Sequence, residues 1–455
     1  MGTGLATSNG PLVQFAADLL DRSKRHGASA ADVIVCESEN CSVQVRLSAV
    51  DRLTKAREKR AGLRVFFGTR SASASTSDFS RESLDRFVSD TCALARAVVE
   101  DPVSGLPSAD QMAETVPDLD LFDPTTLDTE AHIGLAKRTE AAALGADPRI
   151  TNSEGADFNS ATGHVVLGNT HGFFGRYRTS SFSLSASPIA ADPAGGMQRD
   201  SWYAVQRKFQ KLDTPESVGA EAARRTLRRL GARKISTCRA PVIFDPEMAA
   251  GLMSNLSHAL SGYALYKGAS FLIGRLGQRI ASERVTVCDD GLMAGGVGSR
   301  PFDGEGLPTR KTVVIEQGML KSYLLDTYSG KKLGLPSTGS ASRGIGDSPS
   351  VGPTNFYLAP GDRSPSDMIR SIKRGLYVTE LMGFGINMVT GDYSRGAGGL
   401  WIENGEFAYP VEEITIAGNL TRMLENIEMV GNDLVFRGRH ASPTIMINEM
   451  TIAGA

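Results

Sequence analysis

Histidine is the residue type of this sequence with the widest chemical range, and it occurs six times: His26, His132, His164, His171, His258 and His440. A serine nucleophile needs a histidine base that an acid orients, and the sequence contains neither a G-x-S-x-G motif nor a recognisable set of this kind. Phosphate-binding loops need spaced glycines followed by a helix, which the glycines at 295–298 and 330 do not provide. We therefore expect neither a serine hydrolase nor a phosphate-binding loop.

His258 lies in a segment with clear helical spacing. Leu252, Leu256 and Leu260 are four residues apart and predict a buried stripe, whereas His258 lies off that stripe with Ser254 and Ser261 as its neighbours. The imidazole is therefore predicted on a face that a partner or a peptide can approach. Because a lone helical histidine is more often a hydrogen-bonded structural residue than a ligand, this pattern alone does not assign a zinc site.

The composition limits the classes of protein and partner. The chain has 455 residues, 41% hydrophobic and 22% charged, which is typical of a globular protein long enough for at least two domains. A formal net charge of −2 argues against nucleic acid and anionic membranes as general partners. No apolar run approaches the ~20 residues of a membrane span, and Met1–Gly10 lacks the basic start of a secretory signal. Since the five cysteines form no C-x-x-C pair, we expect a cytoplasmic protein without a disulfide framework.

The first half of the chain predicts an N-terminal α/β-type domain at 1–239, with helices and a small antiparallel sheet. Helices are predicted near 12–26, 84–98, 128–144 and 216–230, and strands around 33–35, 43–47, 63–67, 164–167 and 181–185. The serine-rich stretch 71–77 has too little apolar surface for a core element. The proline-rich stretch 102–125 predicts an extended connector and a subdivision of this domain. The helix at 216–230 carries four arginines that we interpret as a solvated face: Arg224, Arg225, Arg228 and Arg229.

From residue 240 onwards the pattern changes to short apolar stretches separated by glycines. These predict a second, mostly antiparallel β domain at 240–455 with a few helices, which makes the whole chain an α+β protein. Strands are predicted at 241–244, 284–288, 312–315, 385–389 and 413–416, and helices at 246–262 and after Ser364.

Ordered motifs in this second half resemble the TldD/PmbA family, and they resemble its PmbA (TldE) branch most. The motifs that carry the resemblance are Leu256–Gly262, Gly277–Ser282, Val285–Gly291, Phe302–Gly306, Ile315–Gly318, Ser337–Gly339, Asn387–Ala397, Gly399–Glu406, Tyr409–Leu420 and Val430–Asp433. The first half is similar mainly in the order of its elements and in the early strands.

The resemblance implies a zinc-dependent protease assembled from two related subunits. In that family the TldD-like subunit carries the motif H-E-x-x-x-H and a later cysteine, and PmbA-like chains lack the set. Placed on this sequence without gaps, the motif falls on residues 253–258, where Met253 replaces the first histidine, Ser254 replaces the glutamate and only His258 remains. A thioether is a poor zinc ligand and a serine cannot act as the carboxylate base, so we expect no catalytic site in this chain.

The family's later cysteine is expected near 439–441, where this sequence has His440 instead. His258 and His440 are therefore the weak candidates for a residual metal site, although hydrolytic zinc sites usually have three protein ligands. We expect no cofactor in this chain and zinc in the partner subunit.

The resemblance also implies the partners. A TldD-like catalytic subunit and an unfolded or leader-bearing peptide are expected, with the peptide held between strands of the two subunits through main-chain hydrogen bonds. The expected function is that of a non-catalytic subunit in peptide maturation or turnover. Two alternatives remain open: an independently active metalloprotease that uses His258 and His440, and a homodimeric peptide-binding regulator without proteolysis.

Overall fold

A computed structural model describes residues 10–192 and 195–454 of the chain. Residues 1–9, on which the expectation of no secretory signal rests, lie outside the described residues. None of the helices in the described ranges is long and apolar enough to cross a membrane. The structure is a mixture of helices and predominantly antiparallel sheets, as the α+β prediction requires.

The helices of the described ranges are α1 (Pro11–Arg25), α2 (Arg81–Ala97), α3 (Thr129–Leu144), α4 (Pro215–Leu227), α5 (Pro246–Ala259), α6 (Gly262–Tyr266), α7 (Thr327–Leu333), α8 (Pro365–Arg370) and α9 (Leu420–Glu425). The strands before residue 210 are β1 (Ala30–Arg46), β2 (Ala49–Phe67), β3 (Arg70–Thr76), β4 (Ile150–Asn169), β5 (Phe174–Ala191), β6 (Met197–Arg199) and β7 (Trp202–Gln206). The later strands are β8 (Cys238–Phe244), β9 (Val287–Asp290), β10 (Lys311–Glu316), β11 (Met319–Leu320), β12 (Ala341–Ser342), β13 (Ser350–Val351), β14 (Phe356–Leu358), β15 (Arg374–Met382), β16 (Asp392–Glu403), β17 (Glu406–Asn419), β18 (Ile427–Val430), β19 (His440–Ala441) and β20 (Ile445–Ala453).

One antiparallel sheet organises the first half of the chain, in the order β3-β2-β1-β4-β5-β6, with β7 also paired to β5. The two stretches predicted as separate strands at 33–35 and 43–47 belong to the single strand β1, because polar residues between them continue the ladder with β2 and β4. The turn that follows places Leu47 and Ser48 at positive φ, where Glu140 accepts hydrogen bonds from both backbone N–H groups.

The serine-rich stretch 71–77 forms the edge strand β3, although its apolar surface is small. The connector at 102–125 joins strands β1–β3 to strands β4–β7 of the same sheet. The proposed domain boundaries at 102–125 and near 240 stay predictions.

The two faces of this sheet have different neighbours. On one face α1 and α2 bury apolar side chains at one end of the strands, while α3 and α4 do so at the other end. The opposite face packs on the second half of the chain through Ile34, Leu167 and Phe302. Gly175 permits this approach, since a Cβ there would lie 2.5 Å from an atom of the Phe302 ring. The second half therefore sits directly beneath the sheet.

The second half contains a small barrel and a separate sheet. Strands β17, β16, β15, β8 and β20 pair in that order, and a further pairing of β17 with β20 closes the barrel around a core that includes Trp401. The separate sheet has the order β11-β10-β9-β14-β19. The prediction of a strand at 385–389 is wrong, because the Asn387 side chain accepts hydrogen bonds from two following N–H groups and turns the chain. The helix predicted at 246–262 ends at Ala259, and α6 begins after the cap residue Ser261.

Candidate functional site

Helix α5 presents the residues of the altered motif on two different faces. Asp245 caps its first turn by accepting a hydrogen bond of 2.9 Å from the Met248 N–H, and Pro246 follows at the first helical position. Met253 is 0% exposed and packs in the core of the second half. Ser254 and His258, four residues apart, both lie on the exposed face. The first ligand position of the gap-free motif therefore points into the hydrophobic core.

His440 lies beside the C-terminal part of α5. It belongs to β19, which pairs with β14 at one end of the separate sheet, and its ring lies 6.1 Å from the ring of Phe356. Its Nε2 atom is 3.0 Å from the hydroxyl of Ser257, and that hydroxyl also donates a 2.8 Å hydrogen bond to the Ser254 carbonyl. Because a serine hydroxyl has one proton, Nε2 donates to Ser257 when that proton goes to the carbonyl, and Nδ1 then remains an acceptor.

The electrostatic setting keeps His440 uncharged at neutral pH. Burial, with the positive charge of Arg439 acting in the same direction, lowers the pKa of its imidazole to about 4. Ser257, the residue before His258, is the hydrogen-bond partner of His440, so the two candidate metal ligands lie on neighbouring elements although they are far apart in the sequence. The His258 side chain itself is exposed. A neutral imidazole is also the form that binds a metal.

The residues around this pair do not fit a catalytic zinc ion. Within residues 10–192 and 195–454, no group of three or more histidine, cysteine, aspartate and glutamate side chains is arranged to hold a metal. Towards the N-terminus of α5, the acidic residue nearest to His258 is Glu247. It lies about 16 Å from His258 along the helix axis. Glu247 is also engaged, since it accepts a 2.8 Å hydrogen bond from the Tyr203 hydroxyl and lies 3.5 Å from Arg437. No hydrolytic step through zinc follows from this chain's own side chains.

Strand β5 carries a stripe of small hydroxyl residues on the face of the sheet that contacts α5. These hydroxyl residues alternate with the buried Phe182, Leu184 and Ala186. All of them are half-buried: Thr179, Ser181, Ser183, Ser185 and Ser187. Ser185 pairs with Tyr203 on β7, and the Tyr203 hydroxyl reaches Glu247 in the first turn of α5. The alternation was visible in the sequence at 181–185, but the element that this face approaches was not.

The interpretation of the four arginines at 224–229, two in α4 and two directly after it, as a solvated face is wrong for the buried Arg225 and the half-buried Arg228 and Arg229. Arg225 is 6% exposed and faces the carboxylates of Asp200 and Asp245, at 3.6 and 3.5 Å. Arg229 donates to Glu380 on β15, and Arg224 is paired with Glu221. Arg225 and Arg229 thus lie at the contact between the two halves of the chain, whereas Arg224 is exposed and pairs within its own helix, and no local sequence pattern shows this difference.

A second group of buried charges lies at the other end of the same contact. Asp32 on β1 accepts hydrogen bonds from Arg64 and from Arg343 of the second half, and all three side chains are nearly inaccessible. Burial and the nearby Asp303 raise the pKa of Glu305 to about 7. Both charged groups lie between the sheet and the second half.

Comparisons with known proteins agree with the fold. Three family models match the chain in order: PmbA/TldA metallopeptidase domain 1 at residues 31–95, the central domain at 122–230 and the C-terminal domain at 237–454. The chain is 42% identical to the metalloprotease PmbA of Escherichia coli O157:H7, over 94% of this chain and 93% of that protein. It is 38% identical to the metalloprotease PmbA homolog of Haemophilus influenzae, over 97% and 95% of the two chains.

Two solved structures have the same architecture. A Bacteroides thetaiotaomicron protein proposed to modulate DNA gyrase is 28% identical, with a TM-score of 0.91 over 98% of this chain and 100% of that chain. TldE from Thermococcus kodakarensis has a TM-score of 0.84 over 97% of this chain and 100% of that chain, and its 22% identity shows similarity of fold alone.

Proposed function

This chain belongs to the PmbA/TldD metallopeptidase family, in its PmbA (TldE) branch, and we propose that it is the non-catalytic subunit of a heteromeric zinc metallopeptidase. A TldD-like subunit supplies the zinc and the catalytic motif in this proposal. The complex cleaves unfolded or leader-bearing peptides in peptide maturation or turnover. We place it in the cytoplasm, a location in keeping with five cysteines that all remain free thiols in the structure.

One observation carries the proposal: α5, on which the family's metal motif falls by resemblance, lacks the first ligand and the base of that motif. Met253 is buried in the core, and Ser254 offers a hydroxyl where the family's catalytic subunits have a carboxylate. A zinc hydrolase needs a base for the metal-bound water as well as three protein ligands. The family fold together with this altered helix supports a role in binding and positioning.

The surroundings of α5 support a peptide as the ligand. His440 lies in the terminal strand of its sheet, and such a strand offers backbone groups to an added extended chain. The hydroxyl stripe on β5 lies on the sheet face that contacts α5 and carries no large side chain from Thr179 to Ser187. Main-chain recognition between such surfaces tolerates many sequences, which suits an enzyme for unfolded substrates.

The test is a comparison of this chain alone, a TldD-like chain alone and the mixture. We expect the purified chain to contain no stoichiometric zinc and to leave an unstructured peptide uncut, and we expect co-purification and chelator-sensitive cleavage with the TldD-like chain. If the mixture forms no complex and gains no activity over the TldD-like chain, the heteromeric proposal fails. The alternative of a homodimeric regulator is tested by measuring the self-association of the lone chain. This alternative predicts a dimer that binds peptide and does not support cleavage when a TldD-like chain is added.

The position of His440 beside Ser257, the residue before His258, favours one competing function, that of an independently active metalloprotease. It predicts stoichiometric zinc in the lone chain and cleavage that a chelator stops. The double variant His258→Ala/His440→Ala separates the two proposals. The independent enzyme loses zinc and activity in that variant, whereas the non-catalytic subunit loses no metal and still assembles with a TldD-like chain.

A further inference from the structure

The first turn of α5 is hydrogen-bonded to β7, the strand that pairs with β5 in the N-terminal sheet. The Tyr203 hydroxyl on β7 donates a 2.8 Å hydrogen bond to Glu247. The neighbouring Trp202 ring contacts two guanidinium groups, with centroid distances of 4.8 Å to Arg225 and 4.3 Å to Arg437. We name this contact the α5 clamp and define it by these residues: Asp200, Trp202, Tyr203, Arg225, Arg228, Asp245, Glu247 and Arg437.

Arg225 and Asp245 of the α5 clamp are buried, Asp200 and Arg228 are mostly buried, and these four charges are loosely paired. Arg225 lies 3.5 Å from Asp245 and 3.6 Å from Asp200, and Arg228 lies 3.8 Å from Asp200. These separations exceed the ~2.7–3.2 Å of a hydrogen bond. Among the described residues, the Nε atoms of Arg225 and Arg228, the Nη2 atom of Arg228 and the Oδ2 atom of Asp200 are buried without a hydrogen-bond partner. Buried charges that lack hydrogen bonds are costly, so this contact is a weak part of the interface between the two halves.

Asp245 is the group whose charge changes most easily. Burial is the main cause that raises the pKa of its carboxyl to about 6, and the negative Glu247 on the same helix acts in the same direction, while Arg225, the Met248 N–H and Arg228 favour the charged form. The Tyr377 hydroxyl of β15 also faces Asp245. Asp200 faces the same arginines from the loop before β7. The closed contact thus binds a proton more tightly than a solvated carboxyl does, and it gains stability as the pH falls through about 6.

We propose that the α5 clamp is a proton-controlled contact, in which an uncharged Asp245 holds β7 against the first turn of α5 and an ionised Asp245 loosens it. Asp245 can exert this control because it has two roles, as the cap of α5 and as the neighbour of Arg225. Loosening separates the sheet face with the hydroxyl stripe from α5, and acidification draws them together. The proposal goes beyond the proposed function and needs neither a partner subunit nor zinc.

The expected size of the effect follows from the change in proton affinity. If ionised Asp245 becomes fully solvated in the loosened form, the ratio of closed to loosened molecules changes by at most about 100-fold across the titration. Partial solvation gives a smaller change in the same direction.

Trp202 provides the readout, because the sequence has two tryptophans and the other, Trp401, is 1% exposed. In a Trp401→Phe background, Trp202 emission and acrylamide quenching are recorded between about pH 5 and pH 8. We expect more quenching at the alkaline end, with a midpoint near pH 6. Adding Asp245→Asn, which keeps a cap acceptor but cannot ionise, should abolish this transition.

The control variant Asp128→Asn makes the same substitution at the cap of α3, where the carboxylate accepts a hydrogen bond from Ala131. It should leave the transition unchanged. An unaltered transition in Asp245→Asn, or no transition near pH 6 in the parent protein, would overturn the proposal. If Trp401→Phe does not fold, hydrogen exchange of residues 202–206 and 246–252 is compared between the wild-type chain and Asp245→Asn over the same pH range. Loosening of the α5 clamp at alkaline pH should then appear in the wild-type chain and be absent in Asp245→Asn.

Discussion

Two neighbouring positions of α5 should respond in opposite ways to an introduced histidine. The gap-free motif places the first zinc ligand at Met253, but that side chain is 0% exposed, whereas Ser254 shares the exposed face with His258. Two histidines four residues apart on one helix face are a known zinc-binding arrangement. We predict that Ser254→His creates a zinc site with His258, and that Met253→His creates none.

The magnitudes follow from burial. Ser254→His is an exposed substitution and should change the free energy of unfolding by less than about 0.5 kcal/mol without metal. Zinc at a free concentration of about 100 times the dissociation constant should then add about 2.7 kcal/mol. Met253→His gives up the burial of an apolar side chain and places an imidazole without a partner in the core, which together should destabilise the chain by about 3–5 kcal/mol.

The assay is urea unfolding with zinc and with chelator, together with equilibrium dialysis to count bound zinc. Ser254→His/His258→Ala is the matched control, since it keeps the new imidazole and removes its helical neighbour. It should lose most of the zinc-dependent stabilisation. A stable Met253→His variant that binds one zinc ion would show that position 253 reaches a metal, and the assignment of the two helix faces would then be incorrect.

Three further predictions concern the interface and His440. Asp32→Asn should destabilise the protein by about 3–5 kcal/mol in urea unfolding, because it leaves Arg64 buried with a broken ion pair. Gly175→Ala should cost about 1–3 kcal/mol in the same measurement, since the new Cβ would lie 2.5 Å from the Phe302 ring. The His440 imidazole should titrate near pH 4 by NMR; because the unfolded chain protonates first, its contribution to stability is lost as the pH falls from 6.5 through 4.

Matched controls accompany these predictions. Gly134→Ala lies in α3 with no atom within 4 Å of the new Cβ, and it should stabilise the helix by about 0.5–1 kcal/mol. Asp18→Asn removes an ion pair whose carboxylate is 43% exposed and should change stability by less than about 1 kcal/mol. Equal losses in Gly134→Ala and Gly175→Ala would refute the contact with Phe302, and an Asp32→Asn variant as stable as Asp18→Asn would refute the buried network. A His440 midpoint near 6.5 would contradict its burial beside Arg439.

Local patterns predicted those elements whose own residues carry the signal. The leucine spacing in α5 and the Ser364–Pro365 start of α8 both gave correct helices, because periodicity and capping act within a few residues. The polar middle of β1 was missed, since a strand with neighbours on both sides can continue through residues that have no apolar alternation. The stretch 385–389 has the apolar content of a strand, but an asparagine side chain satisfies its backbone in a turn.

By itself, the sequence determined the class of the protein: an α+β chain with ordered motifs of the TldD/PmbA family and an altered metal motif on a helix. Those features depend on residue type and short-range spacing, so they can be read without a structure. Only the tertiary structure decided that Met253 is buried, that His440 contacts Ser257 beside His258, and that Arg225 of α4 faces the buried carboxylate of Asp245. Each of these depends on contacts between residues far apart in the sequence, and packing across the two halves fixes the burial and charge on which their chemistry rests.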